Sequence, residues 1–350
     1  MWRLINMDLF DYYKDKVVLV TGGVGSIGSN IVHQLMKYDL KSLIIFDNNE
    51  TGLFDLHKEI NSEKVQIYIG DVCDRDRVEM VTTGVDIIFH AAALKHVPLC
   101  EYNPYEAVKV NIIGTQNVID AAIKNSVSKV IMISTDKAVS PINVMGASKY
   151  IAERLSIAAN NHSNNRDTKF AAVRFGNVLN SRGSIIPIFL KQIQSKSHIT
   201  VTDPDMQRFV MTIPTAANLV ITAGMIANGY EVFILKMPVL KIIDLAEVMR
   251  ERLSVKYGYD PKDLPIDITG KRIGEKLYEM LMTSEESESA YENKDMFMIY
   301  PTHLSRVVKH EEYVPPDGWK PVPLHQEYSS RSSVILDKSQ IAEYLEEIGL

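Results

Sequence analysis

The sequence predicts an α/β fold: a doubly wound, parallel-dominated sheet that holds a dinucleotide, followed by a smaller C-terminal α/β lobe. Three observations carry this. Short, mostly apolar runs recur at Val17–Val20, Ser42–Phe46, Val65–Gly70, Asp86–His90, Lys129–Ser134 and Lys169–Arg174, as in strands buried on both faces. Segments of helical period separate them, which makes successive strands parallel crossovers. The first run leads directly into glycines spaced Gly22-x-x-Gly25-x-x-Gly28.

The chain has 350 residues, above the roughly 250–300 at which one core stops growing. Two units are therefore expected. The dinucleotide-binding unit spans 1–178 and takes return elements from about 212–236; the ligand lobe is built from 179–211 and 237–350. A net charge of −6 leaves no electrostatic footprint for nucleic acid, and no basic block suggests a membrane surface. Cys73 and Cys100 have no metal-type spacing, so no metal is expected. They read as reduced thiols of a cytoplasmic protein. Met1–Lys16 mixes charges with Leu4, Ile5, Leu9, Phe10, Tyr12 and Tyr13, and has no signal-type apolar core. It reads as a short amphipathic helix covering the sheet edge or a partner subunit.

In chain order, Val17–Val20 enters the glycine turn, and a helix follows to about Lys37. Gly lets the chain turn tightly and lets backbone N–H groups approach a pyrophosphate at the helix N-terminus, where the dipole favours negative charge. Gly22, Gly25, Ser26, Ile27 and Gly28 are thus candidate cofactor contacts. Asp47 ends the second strand at the distance the dinucleotide fingerprint requires. A carboxylate there accepts hydrogen bonds from an adenine ribose and repels a 2′-phosphate. Asn48, Asn49 and Glu50 add no cation for such a phosphate. NAD is favoured, with NADP the alternative.

Asp86–His90 runs into Ala91-Ala92-Ala93, whose small side chains let backbone pass close to a cofactor. His96 reads as a packed or capping histidine. Ala107–Lys124 carries an apolar face at helical spacing, interrupted by Asn111. Lys129–Ser134 leads into Thr135-Asp136-Lys137, and Ser148–Ala159 reads as a helix. A hydroxyl, a carboxylate and two amines thus gather at the carboxyl end of a strand, where open α/β sheets bind ligands. Further on, Ile199–Thr202 and Glu231–Lys236 read as strands, Thr212–Ala227 and Ile341–Ile348 as helices. Pro315, Pro316, Pro321 and Pro323 read as irregular punctuation.

The stretch Ser134–Lys149, with the glycine turn, resembles the active-site segment of an extended short-chain dehydrogenase/reductase with a Rossmann-type sheet. Within that superfamily it looks like the UDP-N-acetylglucosamine 4,6-dehydratases, whose Thr-Asp-Lys sits at this strand end; the dTDP-glucose enzymes carry Asp-Glu and a Tyr. The resemblance runs from about Asp15 to Tyr300. It departs from the superfamily at Met145, where a Tyr usually stands four residues before the helical Lys149. It implies adenine contacts at Asp71 and Val72, cofactor contacts at Asn48, Ala91, Ala92 and Met145, and a nicotinamide-ribose contact at Lys149. It places Lys95, Asn177, Arg182, Ser184, Arg208 and Glu275 at a UDP-sugar, with Arg272 pairing the diphosphate. It gives Asn111 a role in holding local backbone near the site. It also implies a homo-oligomer paired through helices flanking the site, and a place in surface-glycan or amino-sugar biosynthesis.

A nicotinamide cofactor beside a UDP-sugar serves a dehydrogenase, a 4-epimerase or a 4,6-dehydratase. Met145 cannot transfer a proton, which disfavours the first two. The expected dehydratase chemistry assigns Lys137, kept neutral by burial and nearby cations, to the C5 proton. Protonated Asp136 serves the leaving C6 hydroxyl, and Thr135 holds or relays the C4 hydroxyl proton. A catalytically silent NAD-binding scaffold is the reading from outside enzymology; the missing Tyr is its only support.

Overall fold

The computed structural model describes residues 9–165, 167–300 and 314–350. Of the expected N-terminal amphipathic helix, residues 1–8 lie outside the described residues and residues 9–13 are helical. The core of the fold is a ten-stranded sheet. Its first six strands in the chain are β1 (Val17–Thr21), β2 (Ser42–Asp47), β3 (Val65–Ile69), β4 (Ile87–His90), β5 (Lys129–Ile133) and β6 (Lys169–Arg174). They lie side by side in the order β3-β2-β1-β4-β5-β6, followed by the strand Val232–Leu235, all parallel. This is the expected doubly wound, Rossmann-type α/β fold. The chain works outward from β1 to β3 and then crosses back to lay β4 on the other side of β1. The carboxyl ends of β1 and β4 therefore diverge at a crevice.

The strands bury both faces. Val18 and Val20 pack into one apolar layer, with Ile31, Leu35 and Phe89, and the intervening Leu19 packs into the opposite one with Ile88 and Val130. On the first face the helix Ser26–Leu35 packs against Ile213–Ile226; on the other, Arg75–Val81 packs against Gly114–Lys124. A second core, built on Ile186, Phe189, Leu240, Leu245, Met249 and Ile341, joins the helices Ile185–Gln194, Ile242–Lys256 and Lys338–Glu347.

Three helices and three strands differ from the sequence expectation. The helix expected from Ser148 begins at Val144, because Asn143 caps it through Oδ1 to the Gly146 N–H. The helix expected over Ala107–Lys124 is a composite: Pro104–Ala107, a π-helical stretch Val108–Ile113, then Gly114–Lys124. The sequence reading assigns no element to Val97–Tyr102, which forms a short helix entered through Pro98. Finally, Met296–Ile299, Ala290–Glu292 and Lys320–Pro321 extend the large sheet as antiparallel strands, although they were assigned to the smaller lobe or to irregular chain. They are too short to show a period, and Pro321 is tolerated because it sits on the edge strand.

One buried network ties these layers at the active end. Arg174, 3% exposed, donates to both carboxylate oxygens of Glu153 and both of Glu286, and to the Leu281 carbonyl. Ser134 Oγ donates to Glu153 Oε2 at 2.6 Å. Removing one partner from such a network strands buried charge, at a cost of about 3–5 kcal/mol. Arg174→Met should lose stability on that scale in urea unfolding; a loss below ~1 kcal/mol would show that the network does not hold the layers.

Candidate active site

The crevice between β1 and β4 opens into a cavity of about 200 Å³ lined by residues from the turns after β1, β2, β3 and β4. It brings together Gly22, Gly25, Asp47, Asn48, Asp71, Val72, Ala91 and Ala92 of the expected cofactor contacts. Gly22 is left-handed (φ 66°), and a Cβ there would come 2.6 Å from the Ala92 nitrogen. A side chain on Gly28 would strike the Gly22 carbonyl. The glycines are therefore set by the close passage of two backbones. Asp47 is pinned by the N–H groups of Val24 (3.1 Å) and Asn49 (2.9 Å), and Asn48 Nδ2 donates to Asp71 Oδ2 at 3.1 Å. A glycine-walled cradle with a carboxylate held at its rim suits an extended dinucleotide. Ser26 and Ile27 begin the helix at the end of the turn; Ser26 Oγ accepts from the Arg182 N–H.

Beyond the cavity lies an acid–base cluster at the carboxyl end of β5. Thr135 caps a single turn of 3₁₀ helix, Asp136–Ala138. Asp136 is fully buried, and its Oδ1 accepts from Thr135 Oγ1 at 2.8 Å and Lys137 Nζ at 3.0 Å. Lys137 Nζ also lies 3.6 Å from Glu279 Oε1, itself 3.8 Å from Arg208 Nε. Asp136 Oδ2 and Glu279 Oε2 are buried with no hydrogen-bond partner among the described residues. Burial pushes the Lys137 ammonium down, but the Asp136 and Glu279 carboxylates more than offset it and hold the group above its ordinary range. This corrects the expectation of a lysine kept neutral by burial and neighbouring cations. In this structure two carboxylates keep it charged.

Lys149 donates to the Ile133 carbonyl, and burial drives it down to about 8 while Glu153 pulls it partway back. Met145, one helical turn earlier, packs with Cys100 and Ala107 in a small apolar cluster and does not line the cavity. Asn111, in the π-helical stretch, holds the Leu94 backbone through both its N–H and its carbonyl, and donates to Ser148 Oγ. A π-helical turn at a site is a recurrent device for aiming such a side chain.

The expected substrate residues fall into separate groups. Asn177, Ser184 and Arg208 line one small recess, where Asn177 Oδ1 and Ser184 Oγ lack partners among the described residues. The Arg208 guanidinium donates to the carbonyls of Gln207, Lys276 and Leu277, so it fastens the 276–279 segment rather than reaching outward. Arg182 lies on the glycine turn instead, its guanidinium on the Val24 carbonyl, and Lys95 Nζ donates to the Arg182 carbonyl at 2.7 Å. Arg272 is not brought to the cluster: its side chain is 60% exposed, and Glu275 is used locally to accept its N–H. His96 is exposed rather than packed; it stands at the N-cap of the helix Val97–Tyr102, where its carbonyl accepts the Cys100 N–H but its side chain makes no cap bond, and its ring lies beside Gly183. Sequence reasoning passed over two residues. Glu279, in the C-terminal segment, faces Lys137 Nζ at 3.6 Å. His90, at the end of β4, bonds Thr21 (2.8 Å) and Thr115 (3.0 Å) and is driven to about 3 by burial, then Lys149.

Residues 18–301 match the family described as polysaccharide biosynthesis protein. The chain is 52% identical over 342 residues, 98% of each chain, to a Methanocaldococcus jannaschii protein named an uncharacterized membrane protein. Among the described residues here, no helix is long and apolar enough to cross a membrane. The chain is 39% identical over 292 residues (83% of it, 84% of the other) to a Campylobacter jejuni protein named UDP-N-acetylglucosamine 4,6-dehydratase (inverting). It is 38% identical over 337 residues (95% and 96%) to a Rickettsia rickettsii protein named UDP-glucose 4-epimerase. Of solved structures, Pen from Bacillus thuringiensis superposes with a TM-score of 0.88 at 41% identity, covering 97% of this chain and 99% of that one.

Lys149 gives this site a measurable pH signature. Its folded pKa near 8 lies below the ordinary lysine value of about 10.4, so the unfolded chain binds the proton more tightly. Below about pH 8 both states are protonated and folding bears the whole cost of burying the charge; that cost is relieved as pH rises toward about 10.4. Lys149→Met should therefore be more stable than wild type at pH 7, by on the order of 2–3 kcal/mol, and the advantage should vanish near pH 10. Urea midpoints at the two pH values check this; a gap that does not shrink would mean that Lys149 is not the titrating group.

Proposed function

The chain belongs to the polysaccharide biosynthesis protein family, as an extended short-chain dehydrogenase/reductase, and on that premise we propose that it is an NAD-dependent UDP-N-acetylglucosamine 4,6-dehydratase. The observation that carries the reading is the hydrogen-bonded run Thr135–Asp136–Lys137 at the end of β5, in a site where Met145 stands in place of a phenol. A 4-epimerase or simple dehydrogenase needs one group to move the C4 hydroxyl proton. A dehydratase needs in addition a base at C5 and an acid at C6, and this run carries all three functions. The Campylobacter relative's name supports the reading, while the Rickettsia relative's name keeps epimerisation as the alternative to be tested.

On this reading the unit 1–178, with its return elements near 212–236 and the edge strands Ala290–Glu292, Met296–Ile299 and Lys320–Pro321, holds NAD, and the rest of 179–211 and 237–350 holds the UDP-sugar. Gly22, Gly25 and Gly28 receive the pyrophosphate, and Asp47 takes the ribose and disfavours NADP. The product is a UDP-4-keto-6-deoxy-N-acetylhexosamine for glycan or amino-sugar biosynthesis. Exposed Leu99, Tyr102, Tyr105 and Ile151 on helices flanking the site favour a homo-oligomer paired there.

When bound, the dinucleotide supplies hydride abstraction at C4 and hydride return at C6. The chain's own residues move the protons. Thr135 Oγ1 takes the C4 hydroxyl proton as its own passes to Asp136 Oδ1, 2.8 Å away. Asp136, now an acid, gives that proton to the C6 hydroxyl, which leaves as water. Lys137 removes the C5 proton and later returns it to C5. The proton lost at C4 thus departs in the water formed at C6, and the protein ends as it began.

Incubation with UDP-GlcNAc and no added reductant should give a product lighter by one water; a C4 epimer of unchanged mass, or no change at all, would overturn the proposal. Thr135→Val should fold normally yet slow turnover by the ~10²–10⁴ typical of a lost proton-transfer group, whereas Thr135→Ser should stay within about tenfold of wild type. Near-normal rates in Thr135→Val would place the C4 proton elsewhere.

A further inference from the structure

The dehydratase reading leaves one requirement open. Lys137 is an ammonium in this structure, and an ammonium cannot take a proton from C5. Asp136 is no outlet for the surplus proton, because it is charged from Thr135 and must keep that proton for the leaving hydroxyl. The remaining neighbour is Glu279.

Its placement is specific. Glu279 is held at its backbone by Ser330, whose Oγ accepts the Glu279 N–H at 3.0 Å and whose N–H donates to the Glu279 carbonyl at 2.8 Å. The segment carrying it is fastened to the β5 loop by Lys276 Nζ on the Val139 carbonyl and Asn143 Nδ2 on the Gly274 carbonyl. The side chain, 3% exposed, turns Oε1 toward Lys137 Nζ at 3.6 Å and leaves Oε2 buried without a partner among the described residues. A carboxylate stabilised for charge alone would have donors on both oxygens. An oxygen that accepts no hydrogen bond gives none up when the carboxyl is protonated.

We infer that Glu279 is the proton store for Lys137: as the pair closes from 3.6 Å to hydrogen-bond distance, Nζ–H passes its proton to Glu279 Oε1, leaving an amine to attack the C5 proton, and recovers it when turnover ends. The inference rests on the dehydratase reading. Its proton ledger closes. The cycle starts with Asp136 and Glu279 ionised and Lys137 charged. The C4 proton neutralises Asp136, and the Lys137-to-Glu279 transfer then leaves all three groups neutral. Elimination charges Lys137 and ionises Asp136. Return of the proton to C5 makes Lys137 an amine again, and Glu279 restores it to the ammonium.

The groups facing this pair set its balance. Burial raises the Glu279 carboxyl and Asp136 raises it further, against Lys137, Arg208 and Lys276, which lower it; the net direction is up. Moving the proton removes two opposite charges from a buried site, which recovers desolvation energy in exchange for their attraction. Glu279 acts through Lys137 and not on the sugar, so it is a positioning residue, and the test must read Lys137's protonation.

Glu279→Gln keeps the shape and cannot accept the proton. Given UDP-GlcNAc in deuterated buffer, the variant should still form reduced dinucleotide, seen in its near-ultraviolet absorbance. Its C5 exchange and water loss should fall by at least ~10² at neutral pH and recover about tenfold per pH unit as Lys137 loses its proton to solvent instead. Wild type should be flat over that window, and Glu279→Asp should be slower yet equally flat. Flat and undiminished exchange in Glu279→Gln, or exchange lost equally at every pH, would overturn the inference. If Glu279→Gln fails to fold, the Glu279→Asp profile decides, and a sloped one counts against the store. A wild-type protein that forms no dehydrated sugar would instead sink the dehydratase reading.

Discussion

The structure depends on a carboxylate that should not be where it is. Asp136 is fully buried at the end of β5, and an isolated ionised carboxylate in such a place costs several kcal/mol even after relaxation. It is tolerated because Lys137 and Thr135 both donate to Oδ1, so the next residue in the chain supplies the counter-charge. That solution creates a second problem, since the ammonium is itself largely buried. Glu279 supplies its other neighbour, and Arg208 in turn faces Glu279. Each charge calls for the next. The series runs from the sheet into the C-terminal segment, which is why the two are stitched together at Val139 and Asn143.

The sheet makes this arrangement reachable. Crossing back at β1 and β4 leaves a crevice for an extended ligand, and β5, beside β4, carries its loop to the same edge. The Arg174–Glu153–Ser134 network lies just beneath that loop and fixes the helix that bears Lys149 against β5 and β6. Charge burial so close to a site of ligand binding specifies geometry more than it adds stability. The loop from Arg182 reaches the opposite rim. It rests on Val24 and Ser26 of the glycine turn and is held by Lys95, so a segment expected at the sugar lies against the dinucleotide cradle.

What the sequence disclosed was what is local. The glycine turn, Asp47 and Thr135-Asp136-Lys137 each act within a few residues of a strand end, and strand ends are legible from short apolar runs. Misjudged features were set by distant partners. Lys137 is charged rather than neutral because Asp136 folds back onto its Nζ at 3.0 Å and Glu279, far away in the chain, adds a second carboxylate, and neither contact can be read from spacing. The resemblance places Arg208 at the UDP-sugar, yet three backbone carbonyls occupy it. Met296–Ile299 and Lys320–Pro321 gave no period because strands of four and two residues are too short to have one. The helix start at Val144 was hidden by Pro141 and a β-branched residue; the Asn143 cap was the signal that could have revealed it.

Met145 connects these points. In a superfamily site with a Tyr at this position, the neighbouring Lys makes the phenol more acidic, and the phenol moves the C4 proton. Here the position is a thioether buried with Cys100 and Ala107, and Lys149 donates instead to the Ile133 carbonyl. Burial still lowers Lys149, so the electrostatic part of that machinery persists without the group it would act on. On the proposed reading the proton duty falls to Thr135, a hydroxyl already hydrogen-bonded to the Asp136 carboxylate. A serviceable hydroxyl has an alkaline intrinsic pKa, so it works as a relay rather than as a base, and a relay requires an acceptor behind it. On the proposed reading Asp136 Oδ1, 2.8 Å from Thr135 Oγ1, is that acceptor. A hydroxyl with a buried carboxylate behind it then does the work that a phenol with a lysine behind it does elsewhere in the superfamily.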